Sequence, residues 1–173
     1  ARALAEIHGK KARGLRSQRD VLKERIERAT YLAPGERAAL LHLLERLPRR
    51  EQLCHGDPNP GNFLFDGERV TVIDWRDATS GNPEADLARL LVLIRYSDLP
   101  AGIPPQVSEY LEARRERMAG AILNEYQSHT GLTYEPIEPW IALAAAYRIV
   151  TDPVSEVEKD RLGRAIRRLL SAL

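Results

Sequence analysis

The sequence predicts a mostly helical α+β domain with one small β-hairpin. Apolar residues recur every three or four positions over most of the 173 residues, as in amphipathic helices. One short region instead has two β-type runs on either side of an Asp-Gly pair, the pattern of a hairpin. The length and the hydrophobic content of 43% are those of one globular domain with a substantial core.

Composition restricts the classes of partner. A formal net charge of only +1 provides no overall attraction to nucleic acid. Residues 1–50 carry a net positive charge and residues 51–173 a net negative charge. This asymmetry would fit a protein with one side that faces phosphate and another that faces a cation. The favoured interpretation is that the charges lie on solvated faces of helices. No apolar run is long enough to span a bilayer and no signal peptide is recognisable, so we expect no membrane partner. The single cysteine, Cys54, excludes an intrachain disulfide and fits a cytoplasmic setting.

Three helices are predicted before residue 50. The first is a fragment over residues 1–9 with Leu4, Ile7 and His8 on one face, and the second is an amphipathic pattern over residues 15–31. A third helix starts at Pro34, where the missing N–H costs nothing, and ends before Pro48.

A hairpin is predicted next. The runs 63–65 and 70–73 are rich in β-type residues, and the Asp-Gly pair at 66–67 between them is favoured in hairpin turns. Antiparallel pairing would bring Asn62 at one end of the hairpin close to Asp74 at the other.

The remainder is predicted to be a loop over residues 75–83 followed by four helices. Their expected ranges are 84–96, 106–129, 138–149 and 155–170, with a breaker segment at 100–105 and Gly131 closing the second. We therefore expect one domain over residues 1–173, with a loop and hairpin at 52–75 and a helical subdomain at 84–173.

The residues that carry chemistry are concentrated in the segment 55–62, His-Gly-Asp-Pro-Asn-Pro-Gly-Asn. Phosphoryl transfer needs a carboxylate that accepts or orients a hydroxyl and oxygen ligands that hold Mg²⁺ against phosphates. Asp57 suits the first task, while Asn62 and Asp74 are hard oxygen donors that suit the second. His55 is better suited to orienting the loop through hydrogen bonds than to acting as a base. The two glycines permit unusual backbone angles, and the two prolines stiffen the loop.

These residues resemble the aminoglycoside phosphotransferase and choline kinase family. The resemblance is carried by residues 55–62, 73–75, 81–88 and 4–8. It implies the carboxy-terminal lobe of a protein-kinase-like fold, with the hairpin carrying the catalytic loop. It implies that Asp57 is the catalytic base and that Asn62 and Asp74 bind Mg²⁺ and, through it, the nucleotide. It also implies that His55 and Asp86 stabilise the loop.

The sequence departs from the family pattern in four ways. Pro58 stands where an apolar or aromatic residue is common, Asn82 where Asp is usual, and Arg76 where an acidic residue is common, which leaves the role of Arg76 open. In addition, no Gly-rich strand-loop and no Val-Ala-Ile-Lys strand occurs, so the nucleotide-covering amino-terminal lobe is absent from this chain. The resemblance thus implies the catalytic lobe of a small-molecule kinase that transfers the γ-phosphate of ATP or GTP to an alcohol, inactive or weakly active by itself.

Two other functions stay open at this stage. An inactive kinase-like interaction module, or pseudokinase, is motivated by the missing lobe, but the presence of Asp57, Asn62 and Asp74 argues against it. A metal-dependent hydrolase that uses Asp57 and Asp74 is a weaker alternative, because it would need more His or carboxylate ligands near the loop.

The substrate is not determined by the sequence, and an aminoglycoside, choline or ethanolamine, a sugar, homoserine and a macrolide all remain open. Seven acidic residues could line a pocket for a cationic substrate, although wet helix faces are the favoured interpretation: Asp77, Glu84, Asp98, Glu109, Glu112, Glu116 and Glu125. Trp140 and Tyr147 could wall a substrate pocket, and core packing is preferred for both.

Overall fold

The computed structural model describes residues 1–99, 102–151 and 153–172, and in this part of the chain the predicted mostly helical α+β class is confirmed. The helices are α1 (Arg2–His8), α2 (Gln18–Glu27), α3 (Pro34–Arg46), α4 (Pro83–Tyr96), α5 (Pro105–Glu112), α6 (Arg115–Thr130), α7 (Glu138–Thr151) and α8 (Glu156–Leu170). The strands are β1 (Gln52–Cys54), β2 (Phe63–Phe65), β3 (Val70–Val72) and β4 (Thr79–Gly81). The breaker segment expected at 100–105 lies partly outside the described residues.

Helix α7 forms the centre of the core. It packs against α2, α4 and α8, and its run of small residues at 144–146 lets the neighbouring helices approach closely. Trp140 is 1% exposed and Tyr147 is 3% exposed, so both pack in the core, and both also line a pocket beside the polar loop. Burial of one large apolar side chain of this kind contributes about 1.5–3 kcal/mol.

The first sheet consists of β1 and β4, which pair antiparallel with Gln52 opposite Gly81. The prediction of a loop over residues 75–83 is therefore wrong in its second half. The Thr-Ser-Gly sequence of β4 has no β-type pattern, and the strand forms because β1 and the backbone of Arg16, whose carbonyl accepts from the Ser80 N–H at 2.9 Å, lie on its two sides. The sheet fixes the chain immediately before and after the polar loop.

The second sheet is the predicted hairpin of β2 and β3, with Phe63 opposite Val72. Its turn consists of residues 66–69, which include the predicted Asp-Gly pair. The Asp66 side chain accepts hydrogen bonds from the backbone N–H groups of Glu68 and Arg69 at 2.9 and 2.8 Å, which stabilises the turn.

The helix predicted over residues 106–129 is two helices. At the break, Arg114 has a φ of −112°, far from the helical value. The next residue, Arg115, donates hydrogen bonds to the carbonyls of Ile94 at 2.7 Å and Ser97 at 2.6 Å, which ties the start of α6 to the end of α4. Periodicity alone could not reveal the change in helix direction that this anchoring requires.

Helix α5 lies on the surface as a result. Val107 and Tyr110 are 45% and 55% exposed. The guanidinium of Arg114 lies 3.5 Å from the centroid of the Tyr110 ring and covers part of its face.

Most helix ends follow the predicted signals. Helix α3 begins at Pro34, and Gly131 closes α6 with a φ of +71°. Ser155 accepts a hydrogen bond from the Glu158 N–H at 3.1 Å and caps α8. Helix α2 is shorter than predicted, because Ser17 caps it and it begins only at Gln18. Within the described chain, no helix has the length and apolar character that a bilayer crossing requires.

Candidate functional site

The polar loop at 55–62 is held by a buried carboxylate. Asp86 lies in the first turn of α4 with a fully buried side chain, as shown by its 0% exposure. Its Oδ2 accepts from the His55 N–H at 2.7 Å and its Oδ1 accepts from the Gly56 N–H at 2.9 Å. Two consecutive backbone groups of the loop are therefore fixed by one side chain from a core helix.

Helix α1 supplies a third partner for this carboxylate. His8 Nε2 lies 3.1 Å from Asp86 Oδ2, and His8 Nδ1 lies 2.6 Å from the Tyr126 hydroxyl. Because a carboxylate oxygen can only accept, Nε2 carries the proton of the contact with Asp86. Burial raises the pKa of Tyr126, whose hydroxyl supports the other nitrogen of the ring. Burial alone would raise the pKa of Asp86, but the hydrogen bond and charge of His8 outweigh it and the pKa lies below its ordinary value.

His55 uses both ring nitrogens to shape the loop. Its Nε2 donates to the carbonyl of Ile73 at 2.8 Å, and its Nδ1 accepts from the Asp57 N–H at 3.2 Å. The ring also packs against Trp75, with centroids 4.8 Å apart. Since neither nitrogen has a free lone pair, His55 connects the loop to the end of β3 and is poorly placed to act as a base.

Gly56 cannot be replaced without moving the loop. Its φ is +81°, and a Cβ there would lie 1.8 Å from the backbone oxygen of Asp77. The expectation of an unusual backbone angle holds for Gly56 and is wrong for Gly61, whose φ is not positive. The loop therefore packs directly on the turn at 75–77 that follows β3.

Asp57 and Asn62 are in direct contact. The Asn62 Nδ2 donates to the Asp57 carbonyl at 2.9 Å and to Asp57 Oδ2 at 3.1 Å. Because both partners are acceptors, Nδ2 must face Asp57, and Oδ1 points away with no hydrogen bond from any described residue. The hairpin joins Asn62 to the Asp74 region only through the backbone, where the Ile73 N–H donates to the Asn62 carbonyl at 3.0 Å.

Asp74 has an unusual backbone and a guanidinium on its carboxylate. Its φ of 59° makes it the one non-glycine residue with positive φ among the described residues, a conformation common at functional sites. Arg76 Nε donates to Asp74 Oδ1 at 2.7 Å and Nη2 to Oδ2 at 3.1 Å. These hydrogen bonds hold the pKa of Asp74 below its ordinary value. Arg76, whose role the sequence left open, is thus the cationic partner of Asp74.

Replacing Arg76 with Gln is expected to raise the pKa of Asp74 towards that of a free aspartate, because the charged donors that stabilise the carboxylate are lost. The Asp74 carboxyl signal in a ¹³C NMR titration measures this. Arg69→Gln, on the exposed turn of the hairpin, is the control and should leave that titration unchanged. An identical Asp74 titration in Arg76→Gln would contradict the assignment.

Two adjoining pockets lie beside the loop. One includes Asp57 and the other includes Gly56 and Asp77. Of the seven acidic residues considered for a cationic pocket, only Asp77 lines either pocket. Glu84 instead pairs with Arg50 at 3.1 Å. Among the described residues, the acidic wall expected for a cationic substrate is therefore not found next to the loop.

Sequence reasoning missed several residues of this region. His8 was placed only on one face of the first helix, and its contact with Asp86 was not predicted. Their separation of 78 residues leaves no local signal that could have paired them. Arg89 lines both pockets, but the sequence did not identify it as a candidate site residue. An arginine in an amphipathic helix is ordinarily interpreted as a residue of the solvated face.

Comparisons with known proteins agree on the type of protein. A sequence profile described as the phosphotransferase enzyme family matches residues 1–131. The solved structure of the choline kinase LicA from Streptococcus pneumoniae is similar in fold, with 20% sequence identity and a TM-score of 0.61. The similarity covers 99% of this chain and 62% of that enzyme, so the chain spans less than two thirds of its length. A search of curated protein sequences finds no match.

Proposed function

Because the chain belongs to the phosphotransferase enzyme family, we propose that it is the catalytic lobe of a small-molecule kinase. The reaction proposed is transfer of the γ-phosphate of ATP or GTP to a hydroxyl of a small acceptor. The observation that carries the proposal is the contact of Asp57 with Asn62 on a loop fixed by Asp86. Positioning contributes most of the catalysis in phosphoryl transfer, and this loop is positioned by buried hydrogen bonds.

Asp57 is the proposed base. Its carboxylate keeps one oxygen, Oδ1, without a hydrogen bond from any described residue, while Oδ2 is held by Asn62. The residue also lines a pocket that opens to solvent. An acceptor hydroxyl in that pocket would donate to Asp57, which would orient it for attack and take its proton.

Asn62 and Asp74 are the proposed ligands of Mg²⁺. The Asn62 Oδ1 points away from Asp57, and the Asp74 carboxylate already accommodates a cation, the guanidinium of Arg76. Both are hard oxygen donors, and Mg²⁺ takes few protein oxygens so that phosphates and water complete its shell. When bound, the ion would neutralise charge on the nucleotide phosphates. His55 and Asp86 are proposed to keep the loop in shape.

An amino-terminal lobe is proposed to complete the nucleotide site. The hairpin of β2 and β3 exposes a cluster of large apolar side chains, with Leu64, Phe65 and Val70 at 51%, 68% and 47% exposure. Clusters of this kind mark interaction surfaces. Under this proposal, residues 1–173 form one catalytic lobe, with the site at 52–75 and a helical subdomain at 84–173.

The same exposed hairpin favours a second candidate, an inactive kinase-like module that binds a partner through this surface. The two candidates differ in turnover. Transfer of labelled γ-phosphate from ATP or GTP to any member of a panel of small alcohols would exclude the inactive module. Lack of transfer to every acceptor by the protein in complex with its nucleotide-covering lobe would contradict the kinase.

Replacing Asp74 with Asn is expected to increase the Mg²⁺ concentration required for half-maximal transfer by about 10²-fold, since loss of even an outer-shell partner of a metal costs 10–100-fold. Transfer is measured against Mg²⁺ concentration at fixed nucleotide. Asp160→Asn, at an exposed position of α8, is the control and should match the unmodified protein. An unchanged Mg²⁺ dependence in Asp74→Asn would remove Asp74 from the metal site.

A further inference from the structure

Within residues 1–99, 102–151 and 153–172, the partly buried side chain of Arg89 finds no hydrogen-bonding partner. The residue lies on α4, three positions after Asp86, and its guanidinium carbon is 3.9 Å from the centroid of the Tyr147 ring. No carbonyl or carboxylate among the described residues accepts a hydrogen bond from it. A guanidinium carries five N–H donors, and those of Arg89 are used by no described residue, so water or a ligand must accept from them. A guanidinium whose donors are unused in this way is well placed to bind a ligand.

Arg89 lines both pockets beside the loop. Each pocket is a small cleft that opens to solvent and encloses only about 20 Å³. Asp57 lines the smaller pocket, and Gly56 lines the larger. A ligand group bound to Arg89 would therefore lie next to the proposed base.

Thr79 provides a second, independent observation. This residue of β4 is 5% exposed and lines the larger pocket together with Arg89. Its Oγ1 is buried and finds no hydrogen-bond partner among the described residues. Buried hydroxyl groups are nearly always paired, so a lone one on a residue that lines the same pocket as Arg89 points to a polar ligand.

The charged groups near Tyr147 favour a ligand with a negative charge. A second guanidinium, that of Arg25, lies 5.7 Å from the same ring. An aromatic ring can attract a substrate cation, but here the chain's own arginines are placed against it. The same pockets hold the carboxylates of Asp57 and Asp77, but a ligand group that contacts Arg89 directly must accept its N–H donors, as a carboxylate or phosphate does.

We propose that Arg89 and Thr79 form a subsite for an anionic group of the acceptor, so that the substrate is an alcohol that also carries a carboxylate or phosphate. The inference rests on the proposed kinase function, because Asp57 must receive the hydroxyl of the same molecule. The anionic group could also belong to the nucleotide donor, and the experiment separates the two sources.

Isothermal titration calorimetry on the protein with glycerate, glycerol 3-phosphate, glycerol and ethanolamine tests the charge preference. These probes are small hydroxyl compounds that differ in charge. We expect at least one anionic probe to bind more than tenfold more tightly than glycerol or ethanolamine. Arg89→Gln should weaken that binding by about 10–100-fold, as expected for loss of hydrogen bonds to a charged group. Tighter binding of ethanolamine, or no binding of either anion, would overturn the inference.

Three further variants keep the test decisive. Arg89→Lys retains the charge without the planar fork and should recover part of the affinity. Thr79→Val should weaken anion binding and raise the Tm, because a buried hydroxyl without a partner is replaced by a methyl group. Arg164→Gln, on the exposed face of α8, should leave binding unchanged. Equal anion affinity in the unmodified protein and both Arg89 variants would overturn the subsite.

Two additional outcomes distinguish this inference from the kinase proposal. If Arg89→Gln weakens Mg²⁺·ATP binding and leaves the anionic probes unaffected, Arg89 contacts the donor and the acceptor subsite is wrong. If phosphoryl transfer occurs to ethanolamine and not to the anions, the subsite is wrong while the kinase proposal stands. If the anions bind through Arg89 but no acceptor is phosphorylated, the binding subsite stands and the kinase proposal fails.

Discussion

Replacing Asp57 with Asn is expected to lower kcat for phosphoryl transfer by about 10²–10⁴-fold while the fold is retained. The amide cannot take the proton of the acceptor hydroxyl. It can still accept the hydrogen bond that Asn62 Nδ2 makes to Asp57 Oδ2 at 3.1 Å, so the loop keeps its shape. The measurement is transfer of labelled γ-phosphate at saturating Mg²⁺ and nucleotide, with the Tm recorded for each protein.

The control for this prediction is Asp160→Asn, which makes the same chemical change at an exposed position of α8. It should leave both kcat and the Tm unchanged. A fall in kcat for Asp57→Asn that is matched by a large fall in Tm would indicate a structural defect instead. Turnover within a few-fold of the unmodified protein would eliminate Asp57 as the base.

Replacing Asp86 with Ala is expected to destabilise the protein by about 3–5 kcal/mol, since removal of one partner from a buried ionic network leaves the others unpaired. The partners left are the N–H groups of His55 and Gly56 and the ring of His8, in a place where the Asp86 side chain is 0% exposed. For a domain of this size the Tm should fall by roughly 10 °C. Urea unfolding measures the free-energy difference, and Asp20→Ala on the exposed side of α2 should change it by less than about 0.5 kcal/mol.

The same variant has a defined pH signature. The pKa of Asp86 is lower in the folded protein than in the unfolded chain, where it is about 3.9. Its ionised form therefore contributes stability that is fully present above that value and is lost as the pH falls through the folded pKa. On acidification below about pH 4, the free energy of unfolding of Asp86→Ala should therefore decrease less than that of the unmodified protein. Parallel acid dependence in the two proteins would contradict this assignment.

The parts of the site that sequence could predict are those formed by nearby residues. Asp57 and Asn62 are five positions apart, and their contact depends on the conformation of one loop. The hairpin likewise depends on two adjacent runs and a turn. Such local patterns are visible in the sequence because each residue type constrains its own neighbours.

The parts that could not be predicted depend on distant partners. Strand β4 forms because β1 lies beside it, although Thr79, Ser80 and Gly81 have no strand pattern of their own. The break between α5 and α6 keeps the helical period on both sides, so only the contacts of Arg115 with α4 reveal it. Arg89 lacks a local signal for the same reason, because its significance comes from the pockets that other segments build around it.

The ring of His8 has a consequence for the order in which the molecule assembles. It connects to Asp86 across 78 residues and to Tyr126 across 118. Contacts between such distant parts of a chain form late in folding, because long loops must close first. The N–H groups of His55 and Gly56 thus reach a fully supported acceptor only after α1 and α6 have docked. A folding intermediate without that docking would contain every side chain of the loop and lack the hydrogen bonds that hold its shape.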